Sequence, residues 1–175
     1  MTVQGNDYRS LLLHMEWADA VMWRALLSVP ALARDAEMRE RVHHFHSTQW
    51  AYLQILRGDP LQIPELASLA DLGAIGRWAR GFYVEFPAYL DSLDEAALTR
   101  TVELPWAAQV AERLGSADPA TVGEHLLQLV VHTAHHRGQV LTRLRDAGGA
   151  PPLVDFIAWI WMRRPAADWA GLGTA

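Results

Sequence analysis

Six of the eight histidines in this chain fall into two groups. His43, His44 and His46 form one, His132, His135 and His136 the other, and His14 and His125 stand apart. A neutral imidazole offers a lone pair to a metal ion, and two residues four apart on a helix project from the same face about one turn from each other. His132 and His136 therefore make a two-ligand clamp if their segment is helical. One more imidazole from a neighbouring helix would complete a three-histidine site with an open coordination position, the arrangement that catalytic zinc uses. The first group supplies three candidates for that place. Thr133 stands where a zinc-protease motif carries its glutamate base, so a peptidase is a poor reading. The chain has no cysteine, which removes thiolate ligands, disulfides and a cysteine nucleophile and leaves only nitrogen and oxygen donors for a metal.

The elements that must hold these groups read as helices. Apolar residues recur at helical spacing in four long segments, and strand-like alternation is nearly absent. The first helix is expected from Asp7, as N-cap, through Leu11, Met15, Ala18, Met22 and Leu26 to a stop before Pro30. The second runs from about Asp35 to Arg57 and closes at Gly58, ahead of a loop marked by Asp59-Pro60 and Ile63-Pro64. The third occupies roughly Ala70 to Leu93 and contains Pro87, which predicts a kink. Leu98 to Asp118 reads as a connection, with an extended piece at Thr99 to Leu104 and a helical turn or two at Ala107 to Leu114. Asp118-Pro119 and the capping box Thr121-x-x-Glu124 announce the fourth long helix, which lasts until Gly148-Gly149. A short helix from Leu153 to Met162 follows. The whole, residues 1–175, reads as one all-α domain.

On a wheel of the fourth long helix His125, Leu129, His132 and His136 share a stripe, while Leu127, Val131 and Ala134 form another face expected to be buried. On the second helix Val42, Phe45, Gln49, Leu53 and Leu56 centre the apolar stripe nearer His46 than His44, so periodicity leans towards His46 as the third ligand. The formal net charge is −5 and every cation is an arginine, spread without a basic stripe, so nucleic acid is an unfavoured partner. Charges and histidines interrupt every apolar run short of the ~20 residues that cross a bilayer, and the N-terminus lacks a basic start or cleavage site. A cytoplasmic protein with no membrane partner is expected. The eight tryptophans suit core and interface packing. The aromatic face of Phe156, Trp159 and Ile160 on the last helix points to a homodimer.

The stretch His132-Thr133-Ala134-His135-His136-Arg137-Gly138-Gln139-Val140 resembles the signature of the DinB superfamily, a histidine and three residues before His-Arg-Gly-Gln. Leu144-Arg145, a glycine turn, Pro151-Pro152 and Asp155-Phe156 continue it. His44-Phe45 with an aromatic eight residues on at Tyr52, then Leu53, Leu56 and Gly58, is similar to the family's second-helix pattern, in which tryptophan is more usual than Tyr52. Trp17-Ala18 of the first helix is in keeping. The resemblance implies a four-helix bundle with long crossover connections, here with a short C-terminal helix added, often dimeric, with a three-histidine site for one divalent metal ion such as zinc or nickel.

Counting back from Gly58, the resemblance puts the second-helix ligand on His44, so the implied metal ligands are His44, His132 and His136. Gln128 stands where many members have a further histidine. His135, His125 and Gln139 become candidates for orienting ligands or moving protons. Arg137 reads as a carboxylate partner, His43 and His46 as exposed or packing residues, and His14 as a candidate to line the pocket. Better-understood relatives include transferases that use low-molecular-weight bacterial thiols, a mycothiol-dependent maleylpyruvate isomerase, and members treated as hydrolases. The expected function is a metal-dependent transferase that joins a low-molecular-weight thiol to an electrophilic small-molecule substrate, ahead of a metal-dependent hydrolase and of a non-catalytic metal-binding module.

Overall fold

The computed structural model describes residues 5–172, the side chains of residues 5–7 excepted. In chain order the elements are α1 (Gly5–Leu27), α2 (Ala36–Arg57), α3 (Leu72–Asp91), α4 (Glu95–Thr99), β1 (Thr101–Val102), α5 (Ala107–Leu114), β2 (Ala120–Thr121), α6 (Val122–Asp146) and α7 (Phe156–Trp161). The bundle is made by α1, α2, α3 and α6. Helix α6 packs against α1 and α2, and α3 packs against the same two. The first two helices therefore lie across the diagonal, as do α3 and α6, and the connections after α1 and α3 cross the ends of the bundle.

Local chemistry fixes the helix ends. The Asp35 side chain accepts from the Met38 N–H at the start of α2, and Gly58 closes that helix with φ 81°, a left-handed conformation that glycine takes without a Cβ penalty. Asp71 caps α3 by accepting from Ala74 N–H, so the helix begins at Leu72 rather than Ala70, and it continues past Pro87 to Asp91. At the start of α6 the Thr121–Glu124 capping box is complete. Helix α1 already includes Gly5, so Asp7 lies within it instead of capping it. Helix α7 starts at Phe156 rather than Leu153. The extended piece is two residues long, with Thr101 opposite Thr121 and Val102 opposite Ala120 in an antiparallel pair. Helix α4, capped by Asp94, is an addition to the sequence reading.

The buried stripe of α6 is Val122, Leu126, Leu129, Thr133, Arg137, Val140 and Leu144. The face expected from Leu127, Val131 and Ala134 is not buried: Val131 is 63% exposed and Ala134 is exposed as well. The error has a physical source, because the true stripe passes through a threonine and an arginine whose polar groups are satisfied inside the bundle. The aromatic face of α7 is likewise accounted for within the chain. Trp159 is buried against Trp17 and Ala18, with Phe156 and Ile160 packed on the same cluster, so α7 covers its own core. Among the described residues no helix is long and apolar enough to cross a membrane.

Two apolar clusters, one around Trp23, Val42, Phe45 and Ile75 and one around Met15, Leu53, Phe82 and Leu126, flank a polar layer. Its centre is Asp19 on α1, fully buried. Its carboxylate accepts from Arg137 Nε at 2.9 Å, from Gln49 Nε2 at 3.0 Å and from the Tyr83 hydroxyl. Gln49 Oε1 accepts from His46 Nδ1 at 2.7 Å, and His46 Nε2 accepts from Trp23 Nε1 at 3.0 Å. Burial pushes the His46 pKa down to about 4. Each of the four long helices thus contributes a side chain to one network, which holds them in register.

Removing one partner of a buried ion pair leaves an uncompensated charge, whereas replacing both by apolar groups of similar size costs far less. Asp19→Ala is expected to destabilise the protein by about 3–5 kcal/mol. The pair Asp19→Leu with Arg137→Met is expected to lose markedly less, as read from urea unfolding.

Candidate metal centre

Helices α2 and α6 run side by side, and three imidazoles meet along their shared edge. His44 stands on the solvent side of the α2 core stripe, and His132 and His136 lie half-buried on α6. One ring nitrogen from each lies within 4.8 Å of the other two. Ring centroids are 4.3 Å apart for His132 and His136, 4.8 Å for His44 and His136, and 5.9 Å for His44 and His132. Among the described residues no other group of histidines and carboxylates converges in this way.

The electrostatics favour the neutral form of the two α6 rings. Burial, then the neighbouring His136, His44 and His135, holds the His132 pKa down at about 4. Burial also lowers that of His136, with His44, His135 and Arg41 adding to the effect and the Gln139 hydrogen bond opposing it. His132 Nδ1 is buried with no hydrogen-bond partner among the described residues, and an orphaned buried nitrogen costs about 1–3 kcal/mol. His136 Nδ1 donates to Gln139 Oε1 at 2.8 Å, which leaves its Nε2 as the lone-pair nitrogen. Three imidazoles crowded together, with one ring fixed by an amide behind it, are a donor set that fits a divalent metal ion.

The other sequence candidates fall elsewhere. His46, favoured by periodicity, is buried in the polar layer with both ring nitrogens engaged, so it has no lone pair to give. His43 stacks on Trp78 and donates to the Pro64 carbonyl. His135 is exposed and is not one of the converging nitrogens, but its ring meets His136 edge-on at 5.0 Å and its Nε2 lies 3.0 Å from Gln139 Nε2. His125 does not join the cluster: it is buried and donates through Nε2 to the Val102 carbonyl at 2.8 Å. His14 lines a different cavity, beside Met15, Arg137 and Phe156, and donates to the Val154 carbonyl. Arg137 pairs with Asp19. Glu124 accepts from the backbone and hydroxyl of Thr121.

Beside the cluster opens a cavity of about 410 Å³, walled by His44, His132, Ser47, Tyr52, Ile63 and Trp106 among others. The Ser47 hydroxyl is buried without a partner. Neither Ser47 nor Trp106 carried a signal in the sequence. The signal that could have found Asp19 is a carboxylate, one turn after Glu16, inside a mostly apolar helix, since such a residue is buried only when paired.

Compared with known protein families, residues 1–168 match the DinB family. No curated protein matches the sequence.

The purified protein is expected to bind about one divalent ion per chain, with His132→Ala or His136→Ala abolishing binding and His43→Ala leaving it intact, as read by elemental analysis. The pH dependence follows from the same rings. His46 and His132 titrate at about 4 in the folded chain, below the ordinary 6.5, so protons bind the unfolded chain first. The stability that comes from keeping them neutral is whole above pH 6.5 and is lost as pH falls from there towards 4. Urea midpoints of chelator-treated protein are expected to drop through that window, and His132→Ala is expected to flatten the drop.

Proposed function

The chain belongs to the DinB family, and from that membership and the imidazole cluster we propose a metal-dependent transferase that joins a low-molecular-weight thiol to an electrophilic small molecule. His44, His132 and His136 would hold one zinc or nickel ion. The observation that carries the reaction class is the wall of the adjoining cavity, which offers hydroxyls at Ser47 and Thr48, the Gln128 amide and the rings of Tyr52 and Trp106, and no carboxylate.

When bound, the ion supplies Lewis acidity, which lowers the pKa of a thiol or water beside it. Water chemistry also calls for a base to manage protons, and Glu124, the only acidic residue of α6 ahead of Asp146, is engaged in the capping box. A thiol needs less help. Its sulfur displaces the leaving group of the electrophile, which departs with the thiol proton. Gln139 holds the His136 ring in one orientation. Tyr52, Ile63 and Trp106 give the organic parts an apolar wall to lie against. A cytoplasmic location, where thiols stay reduced, goes with this reading.

A homodimer remains part of the proposal, though by a different surface. With Phe156, Trp159 and Ile160 packed internally, the apolar face left open is Ile157, Trp161 (75% exposed) and Met162. Light scattering at tens of micromolar is expected to report a dimer, and Trp161→Glu a monomer.

For the reaction, metal-loaded protein is expected to conjugate a bacterial thiol to a halogenated nitroarene or a bimane, and His132→Ala to lose that turnover. Metal-dependent turnover of an ester or amide, indifferent to added thiol, would instead make the protein a hydrolase.

A further inference from the structure

A second cavity, of about 530 Å³, opens under α5 and shares Tyr52, Trp106 and Gln128 with the cavity beside the histidines. Together they form one trough that leads from His44 and His132 towards the β1–β2 end of α6. Its two ends differ in charge. The far end carries Glu103, Asp118 and Glu124, all exposed, and among the described residues none of them is in an ion pair. No arginine lines either cavity, and the chain contains no lysine. Glu124 keeps its charge, because the Thr121 backbone and hydroxyl donors hold its carboxyl below the usual range.

The middle of the trough carries a second and independent feature. Tyr52 is only 5% exposed, yet among the described residues no group hydrogen-bonds its hydroxyl. Its ring meets Trp106 and His125 edge-on, at 6.1 and 5.7 Å. Burial raises the phenol pKa, so the group stays a hydrogen-bond donor. A phenol with a buried ring and a hydroxyl without a protein partner, set in the wall of a cavity, is suited to an acceptor on a bound molecule.

We propose that the trough selects an elongated cationic molecule: an amine cation among Glu103, Asp118 and Glu124, an acceptor such as an amide carbonyl at Tyr52, and an apolar or aromatic end towards the histidines. That this molecule is the electrophilic substrate rests on the transferase reading; the charge selection of the trough does not. The three carboxylates attract a cation, the Trp106 ring adds a cation–π contribution, and an acid in the same place meets only like charge.

The test uses three benzamides that share ring and amide and differ at the far end: N-[2-(trimethylammonio)ethyl]benzamide, N-(3,3-dimethylbutyl)benzamide and N-benzoyltaurine. None carries a thiol or an amine lone pair, so the full-length protein is titrated by calorimetry both metal-loaded and chelator-treated. The cation is expected to bind about tenfold tighter than the neutral compound and the sulfonate to bind weakest, with the spread narrowing as salt rises. Glu103→Gln with Asp118→Asn, both exposed positions, is expected to remove the cation's advantage while leaving the neutral compound unchanged. Tyr52→Phe is expected to weaken all three about five- to tenfold. Equal affinities, a preference for the sulfonate, or no binding by any of the three overturns the proposal. Metal content of the same samples and the conjugation assay report separately on the transferase reading, so the two fail in different experiments.

Discussion

The structure depends on the burial of one carboxylate. Asp19 is fully enclosed by the bundle, and an enclosed carboxylate persists only when donors surround it. Its donors come from the other three long helices: Gln49 from α2, Tyr83 from α3 and Arg137 from α6. Once these are placed, the register of α2 against α6 has little freedom. Thr133 and Arg137 each adjoin a cluster histidine in sequence, and His46 lies two residues from His44. The polar layer inside and the imidazole cluster on the rim are therefore two sides of the same pair of helices, and geometry imposed on the first is transmitted to the second.

The same constraint separates His44 from His46. Both sit near the core stripe of α2, and burial alone would favour His46. A ligand, however, needs a lone pair directed at an ion and a position that solvent or substrate can reach. His46 gives its Nδ1–H to Gln49 and accepts from Trp23 through Nε2, so its burial makes it a structural residue. His44, at the edge, keeps its ring turned towards His132 and His136.

The long helices were legible in the sequence, and the ends of α2 and α6 with them, because their caps are strong local chemistry: Asp35, Gly58 and the Thr121–Glu124 box all act where the residue types suggest. The α6 pair was legible for the same reason, since a spacing of four is local. What escaped is non-local. The burial of Thr133 and Arg137 depends on Asp19, more than a hundred residues away, so a wheel drawn from apolar identity alone chose Leu127, Val131 and Ala134 instead. His125 shares a stripe with His132, but its nitrogen is claimed by the Val102 carbonyl of the connecting strand. His14 is held by Val154 from the opposite end of the chain. The α5-side cavity, assembled from a loop, a short helix and Tyr52, has no periodic signature at all.

The proposed metal centre requires His44, His132 and His136 to act together as one unit. X-ray absorption at the zinc edge of loaded protein tests it most directly, because imidazole rings leave a recognisable outer-shell pattern beyond the first coordination sphere. Three imidazole nitrogens at about 2.0–2.1 Å with one further light, exchangeable ligand are expected. A shell with two imidazoles or fewer, or one completed by protein carboxylates, would contradict it.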